Sequence, residues 1–409
     1  MNELRNKAKR LRDAKKYDEA LKVYKILVDD IQFDNMDKWL GWEYADTLKK
    51  CNRLDESILI CKNIYQHNKD FNYIKFLYSW CLYEKYFKNL DINNKVNIND
   101  AIHICKIGNF IINIIDQNSN TPYEKTIYKI IKLLENINFS NKDEKILKWI
   151  EKLDLDKISR DVYVFECNGK RLEKASMYEE LIYIKIKTLY NLNNYLECAS
   201  LVENYLRENI KFHNDRDKWS LRILAKCNWK LNEKELALEQ LDNLLKKFNH
   251  WVIKYELAYR YNKMNEYDKA FYYTSLCILD KTPIDKKKNV LLLGSQILHC
   301  LLKSKESEIF KRNYENIRKG IDCEFYVIRD ICKNFLLDMD DRYSGTIKKI
   351  LNNKLSGFIE NDDNTIYFRM NNVLIRKVNE GDKVTFKLIE SYDKKKQKKS
   401  FEAIEIIKK

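Results

Sequence analysis

The sequence predicts a mainly α fold: a superhelical array of antiparallel helix pairs followed by a small C-terminal β-barrel. Three observations predict it. Only 8 Gly and 2 Pro (Pro122 and Pro283) occur in 409 residues, too few turn-formers for an all-β or α/β chain. A motif of polar turn, small residue and apolar helix recurs along most of the chain. Past Asp341 the texture changes to short, partly alternating segments rich in β-formers. Hydrophobic residues make up 45% of the chain, enough to bury a core and to exclude global disorder.

The helical part shows self-similarity first. "KKYDEALKVY" (Lys15–Tyr24) returns as "NRLDESILIC" (Asn52–Cys61), "NNYLECASLV" (Asn193–Val202), "NEKELALEQL" (Asn232–Leu241) and "NEYDKAFYYT" (Asn265–Thr274). Their small residues are Ala20, Ser57, Cys198, Ala237 and Ala270. Each follows by about twelve residues another small or apolar residue: Ala8, Ala45, Ile186, Ala225 and Ala258. Two antiparallel helices approach closely only where small side chains face each other, and each pair must bury its other apolar face on the next. Intervals of 37 residues (Ala20 to Ser57), 39 (Cys198 to Ala237) and 33 (Ala237 to Ala270) cluster around about 34, a period of helical repeats.

On these segments the chain resembles the tetratricopeptide repeat family, best around Ala8–Tyr24, Trp39–Tyr65 and Tyr183–Cys277. The family's end-of-repeat proline is absent, and an Asn-rich insertion interrupts the third repeat near Asn89–Asn99. Between residues 121 and 164 the segments "YKIIKLLENI" and "EKILKWIEKL" are amphipathic, but their repeat register stays open. The resemblance implies seven to nine helix pairs over residues 1–340, in one continuous right-handed superhelix without an internal β-sheet. Glu324–Asp340 is expected to be the closing helix. It also implies that the first helix of each pair lines a concave groove. Carried over residue by residue, the register points Tyr183, Lys187, Tyr190, Arg222, Lys226, Trp229, Tyr255 and Tyr259 into that groove. Aromatics at this spacing equally serve as packing between repeats. Together with Lys and Arg, they suit an acidic peptide or single-stranded nucleic acid.

In residues 341–409 five strands are expected, in "SGTIKKIL", "LSGFIE", "TIYFRM", "DKVTFKLIES" and "KSFEAIEIIKK". Alternation puts Gly357, Ile359, Ile366 and Phe368 inside a barrel and leaves Phe358, Tyr367 and Arg369 outside. Exposed aromatics beside Lys348, Lys349, Lys354 and Arg369 suit stacking of bases with neutralisation of phosphates.

The tail, Ser344 to Ile407, resembles a cold-shock domain, a barrel of the oligonucleotide-binding fold. "KLSGFI" (Lys354–Ile359) stands in place of the first ribonucleoprotein motif, "IYFRM" (Ile366–Met370) in place of the second, and "EGDKVTFKL" matches the entry to the fourth strand. Leu355 and Ser356 replace the first motif's leading glycine and first stacking aromatic, Lys349 a first-strand tryptophan, Arg369 the second motif's histidine and Met370 its last aromatic. Phe358 and Tyr367 survive, which implies a weaker binder than a full cold-shock protein. In "DKKKQKK" (Asp393–Lys399) the lysines Lys394, Lys395 and Lys396 would reach phosphates from the rim; the alternative is a solvated charged loop. The other use for such a trimmed face is docking on the helices or on a partner.

Formal net charge is +15, from 76 Lys+Arg against 61 Asp+Glu. This fits a polyanionic partner, or simply a lysine-rich proteome. Eleven cysteines stand without a CxxC pair, mostly in apolar runs, and read as small core residues of a reducing cytoplasm. The charged start "MNELRNKAKRLRDAKK" lacks the apolar stretch of a signal peptide, and no run approaches the roughly 20 apolar residues of a membrane span. A cytoplasmic protein without a membrane partner is expected. The chain contains no phosphate-binding glycine loop, GxSxG or HExxH, and its five histidines fall in different repeats. No enzyme, metal or cofactor is expected. Two functions fit: an adaptor that binds single-stranded RNA or DNA in the barrel and a protein or peptide in the groove, or a protein-interaction scaffold with the barrel as an appendage. Bacterial regulation or phage defence would suit either.

Overall fold

The computed structural model describes residues 2–29, 36–91, 96–137, 140–339, 341–352, 354–362, 364–374, 377–393 and 397–409. The chain divides into two compact units, Met1–Leu231 and Asn232–Lys409. The barrel therefore groups with the last helices rather than standing alone.

The first unit holds α1 (Asn2–Asp13), α2 (Tyr17–Val28), α3 (Lys38–Lys50), α4 (Leu54–His67), α5 (Asn72–Tyr86), α6 (Ile98–Ile114), α7 (Pro122–Asn136), α8 (Lys142–Ile150), α9 (Met177–Asn191), α10 (Tyr195–Arg207) and α11 (Arg216–Lys230). Each helix packs on the next in sequence, and first helices also touch across pairs, as α3 does α5 and α9 does α11. The second unit continues with α12 (Lys234–Lys247), α13 (Trp251–Lys263), α14 (Tyr267–Leu279), α15 (Lys288–Cys300), α16 (Ser304–Arg318) and α17 (Phe325–Leu337). Helix α17 returns to pack on α14 and α16.

All ten small or apolar residues of the repeat pattern are fully buried. The close approach they permit is visible in recurring bonds twelve residues long. The Ser57 hydroxyl donates to the Ala45 carbonyl at 2.7 Å, and the Cys198 thiol to the Ile186 carbonyl at 3.3 Å. A further pair follows the same rule, with Ser307 donating to the Ser295 carbonyl at 2.9 Å. Turns between paired helices pass through the left-handed region at Lys15, Asn52, Asn193, Asn265 and Leu302. Asn tolerates that region because its short polar side chain bonds locally, which is how the chain turns with so few glycines.

Two expectations need correction. Residues before 340 do contain a β-structure: β1 (Tyr163–Cys167) pairs antiparallel with β2 (Lys170–Lys174). Its turn is Asn168-Gly169, both at positive φ (50° and 70°), the dipeptide that two-residue hairpins select. Nor are all cysteines core residues. Cys167 on this hairpin and Cys300 at the end of α15 are exposed, whereas Cys61, Cys81, Cys198, Cys227, Cys277 and Cys332 are buried.

The C-terminal strands are β3 (Tyr343–Ile350), β4 (Ser356–Asn361), β5 (Asn364–Arg369), β6 (Lys383–Asp393) and β7 (Lys398–Lys408). They close a barrel in the order β3-β4-β5-β7-β6, with β6 returning to β3. Among the described strand pairs β5 and β7 run parallel and the others antiparallel. The core contains Ile347, Ile359, Ile366, Phe368, Val384, Phe386, Ala403 and Ile406. Position 357 must be glycine, because a Cβ there would lie 2.5 Å from the Lys349 carbonyl and 2.7 Å from the Phe368 ring.

The barrel docks on the helices through β6, β7 and the segment after β5. Leu374 and Ile407 join the helical core. The Tyr272 hydroxyl of α14 donates to Glu405, and burial, with the Glu405 charge, pushes its pKa far up. Lys387 lies over the Tyr272 ring, 4.4 Å from its centroid, and pairs with Asp341 at 2.7 Å. Arg342, buried at the head of β3, donates to the carbonyls of Thr385 and Glu405.

Candidate nucleic-acid interface

The outer face of β3, β4 and β5 carries a lateral row. Lys349 pairs across the ladder with Phe358, Phe358 with Tyr367, and Tyr367 with Glu402 on β7. Residues directly opposite share a face, so the row reads cation, ring, ring, carboxylate. Phe358 and Tyr367 are half-buried, with centroids 5.9 Å apart in an edge-on arrangement, while Phe368, next along β5 and opposite Gly357, is fully buried. The inside–outside alternation expected of these residues is the one observed.

The cations differ in their freedom. A register shift between Ile347 and Lys349 lets Lys348 and Lys349 both face solvent. Lys348 is bound to Glu360 at 2.6 Å. Arg369, exposed beside Tyr367, bonds the Glu402 carboxylate at 3.2 Å, and Asn372 donates to the same group at 2.9 Å. Glu402 is only 4% exposed, so this arginine is partly spent on holding a buried carboxylate. Lys349 and Lys354 are exposed and make no ion pair among the described residues. Lys394, Lys395 and Lys396 lie outside the described residues. Glu402 was not foreseen, since a glutamate in "SFEAIE" reads as an ordinary outward residue. Exposed Tyr392 and Phe401 near the rim were also missed; their signal was an aromatic in each strand next to the lysine-rich loop.

In the first unit, the predicted groove residues of α9 and α11 come together. Lys187 and Arg216 lie over the Tyr183 ring, at 5.3 and 5.7 Å from its centroid. Lys226 lies 4.0 Å from the Tyr190 centroid, and the Arg222 charge acts on Tyr183, whose phenol burial pushes up. Trp229 is half-buried at the end of α11. This surface is balanced rather than cationic. Lys187 bonds Glu135 at 2.8 Å, and Arg216 pairs with Glu179 at 3.1 Å and Glu180 at 3.2 Å. Burial pushes the Glu135 carboxyl up, but Lys187 and Lys132 outweigh it and hold it low. In the second unit, α13 carries Tyr255, half-buried, and Tyr259, exposed with Lys263 over its ring at 5.6 Å.

The same register, applied to earlier repeats, would have pointed to α3 and α5. Three before, one after and four after Ala45 stand Trp42, Asp46 and Lys49; around Ser79 stand Phe76, Trp80 and Tyr83. Of these, Trp42, Asp46, Lys49, Phe76 and Trp80 line a cleft of about 670 Å³ between the two helices, with Tyr73, Lys50 and Glu84.

No family model and no curated protein matches this chain. Among solved structures, it is similar to the C-terminal part of a TPR repeat-containing protein from Cytophaga hutchinsonii, at 13% identity over 67% of this chain and 94% of that one, TM-score 0.32. It is similar to the human IFIT1 dimer with PPP-AAAA at 10% identity over 75% and 70% of the two chains, TM-score 0.35. It is similar to yeast Tom70 at 12% identity over 81% and 91%, TM-score 0.27. Among the described residues no helix is long and apolar enough to cross a membrane. The chain is mainly α, built of helices that pack in series, with a closed five-stranded barrel at its C-terminal end.

Proposed function

We propose that this protein is an adaptor that binds single-stranded nucleic acid, RNA or DNA, on the barrel while its helical repeats hold a protein or peptide partner. The observation that carries the reading is the Lys349–Phe358–Tyr367 row. Two rings stand outward on adjacent strands, flanked by lysines without carboxylate partners among the described residues, while the barrel docks on the helices through other strands. Rings stack any base, and lysines beside them neutralise its phosphates. A five-stranded closed barrel that presents its second and third strands is also the arrangement with which oligonucleotide-binding folds hold their ligands.

Titration of the full chain with short labelled RNA and DNA tests the reading. Binding should weaken steeply with salt and should fall in Phe358→Ala and Tyr367→Ala. A second reading, a scaffold whose barrel only closes the helical array, is favoured by the Tyr272–Glu405–Arg342 joint. It predicts no oligonucleotide binding by the barrel face.

A further inference from the structure

The α3–α5 cleft exposes aromatic surface that the fold does not use. Tyr73 is 55% and Phe76 47% exposed, and Trp39 beside them is 41% exposed. Trp42 and Trp80 stand half-buried at the back. The rings form two groups: Trp42 lies edge-on to Tyr73 at 5.6 Å and Trp39 tilted against it at 5.0 Å, and Phe76 lies edge-on to Trp80 at 6.3 Å. Contiguous exposed aromatics in a concave site mark a binding surface rather than chance.

Charge decides what it binds. The two carboxylates of the cleft are taken: Asp46 pairs with Arg12 at 3.6 Å and Glu84 with Lys49 at 2.6 Å. Lys50 is exposed, and Lys125 reaches over Trp80 at 5.1 Å. Neither makes an ion pair among the described residues. Arg12 also caps Trp42 at 5.0 Å and Lys49 caps Trp80 at 5.9 Å. The site is thus a set of ring faces with a cationic surplus at its edges. A cationic or aromatic peptide would find the acids already neutralised. A base finds ring faces to stack on, and its phosphate finds Lys50 and Lys125.

We propose that the α3–α5 cleft is a second site for single-stranded nucleic acid, stacking bases on the exposed rings of Tyr73 and Phe76, with Trp42 and Trp80 behind them. The proposal uses no residue of the barrel face and stands or falls separately from it.

Tryptophan emission of the full chain separates the two, because residues 341–409 contain no tryptophan. Short oligouridylate should quench wild-type emission, and should do so equally in a Phe358→Ala/Tyr367→Ala variant. Tyr73→Ala/Phe76→Ala should weaken the quenching titration by about fivefold or more. Lys50→Glu, which alters no packing, should weaken it and flatten its salt dependence. Wild-type emission unmoved by saturating oligouridylate would overturn the proposal. So would quenching that is undiminished in both cleft variants, or a cleft that takes up only a peptide. A weakened labelled-oligonucleotide titration in the barrel variant, with quenching retained, supports both sites. Unchanged labelled-oligonucleotide binding in that variant sinks the barrel reading alone.

Discussion

At Leu302 the turn between α15 and α16 enters the left-handed region (φ 59°) with its side chain 89% exposed. Equivalent turns use Asn52, Asn193 and Asn265. A branched apolar residue there bears strain of about 1–2 kcal/mol that Asn or Gly relieves in large part. Leu302→Asn should therefore raise stability by about 1 kcal/mol, read as a higher urea midpoint at unchanged slope; a lower midpoint would contradict the strain. Lys287 makes the opposite kind of demand. It is fully buried, donates to the Asp280 carbonyl at 2.6 Å, and lies 3.9 Å from the Asp280 carboxylate, which it shares with Lys254. Burial pushes its pKa down from 10.5 to about 8. Below pH 8 both states hold the proton and the fold bears a buried charge. Between pH 8 and 10.5 the folded state releases the proton while the unfolded state keeps it, so this residue's contribution to stability improves as pH rises. Lys287→Met should thus be more stable than wild type at neutral pH, with the difference shrinking through that window. A pH-independent difference in denaturation midpoint would show that the lysine does not titrate there.

The elements show how much the residues disclosed. The barrel strands were legible because each carries alternation bounded by turn residues, and because Gly357 and Phe368 must meet in the core. Helix pairing was legible through the twelve-residue spacing of small residues, though Ser295 and Ser307 escaped because neither neighbouring segment repeats the acidic, aromatic turn. The β1–β2 hairpin was missed although Asn168-Gly169 announced it, since the surrounding helices set the expectation. The ion pairs that compensate the predicted groove lie on α7, α9 and α11, far apart in sequence, and no local pattern encodes them. The barrel strands also separate folding from binding. Phe368→Ala empties the core and should cost about 3–5 kcal/mol, whereas Phe358→Ala and Tyr367→Ala, each half-exposed, should cost far less. Thermal or urea denaturation of the full-length variants checks this order. Equal losses in all three would mean that the outer rings are packed.

At the scale of the whole molecule, the chain combines a helical array, a barrel fixed to its last helices, and two aromatic surfaces edged by lysine. The formal charge of +15 favours polyanions anywhere on the surface; stacking rings are what would make either proposed site saturable. At the proposed barrel site a single strand is held through Phe358 and Tyr367. The most direct measurement is the anisotropy of short labelled RNA and DNA titrated at low salt with the full chain and with the Phe358→Ala and Tyr367→Ala single variants. Each loss of a stacking platform should cost about 1–3 kcal/mol, roughly five- to more than hundredfold in affinity, with the fold intact by circular dichroism. Affinities indistinguishable from wild type in both variants, or no binding by the wild-type chain, would rule out a stacking site on the barrel face.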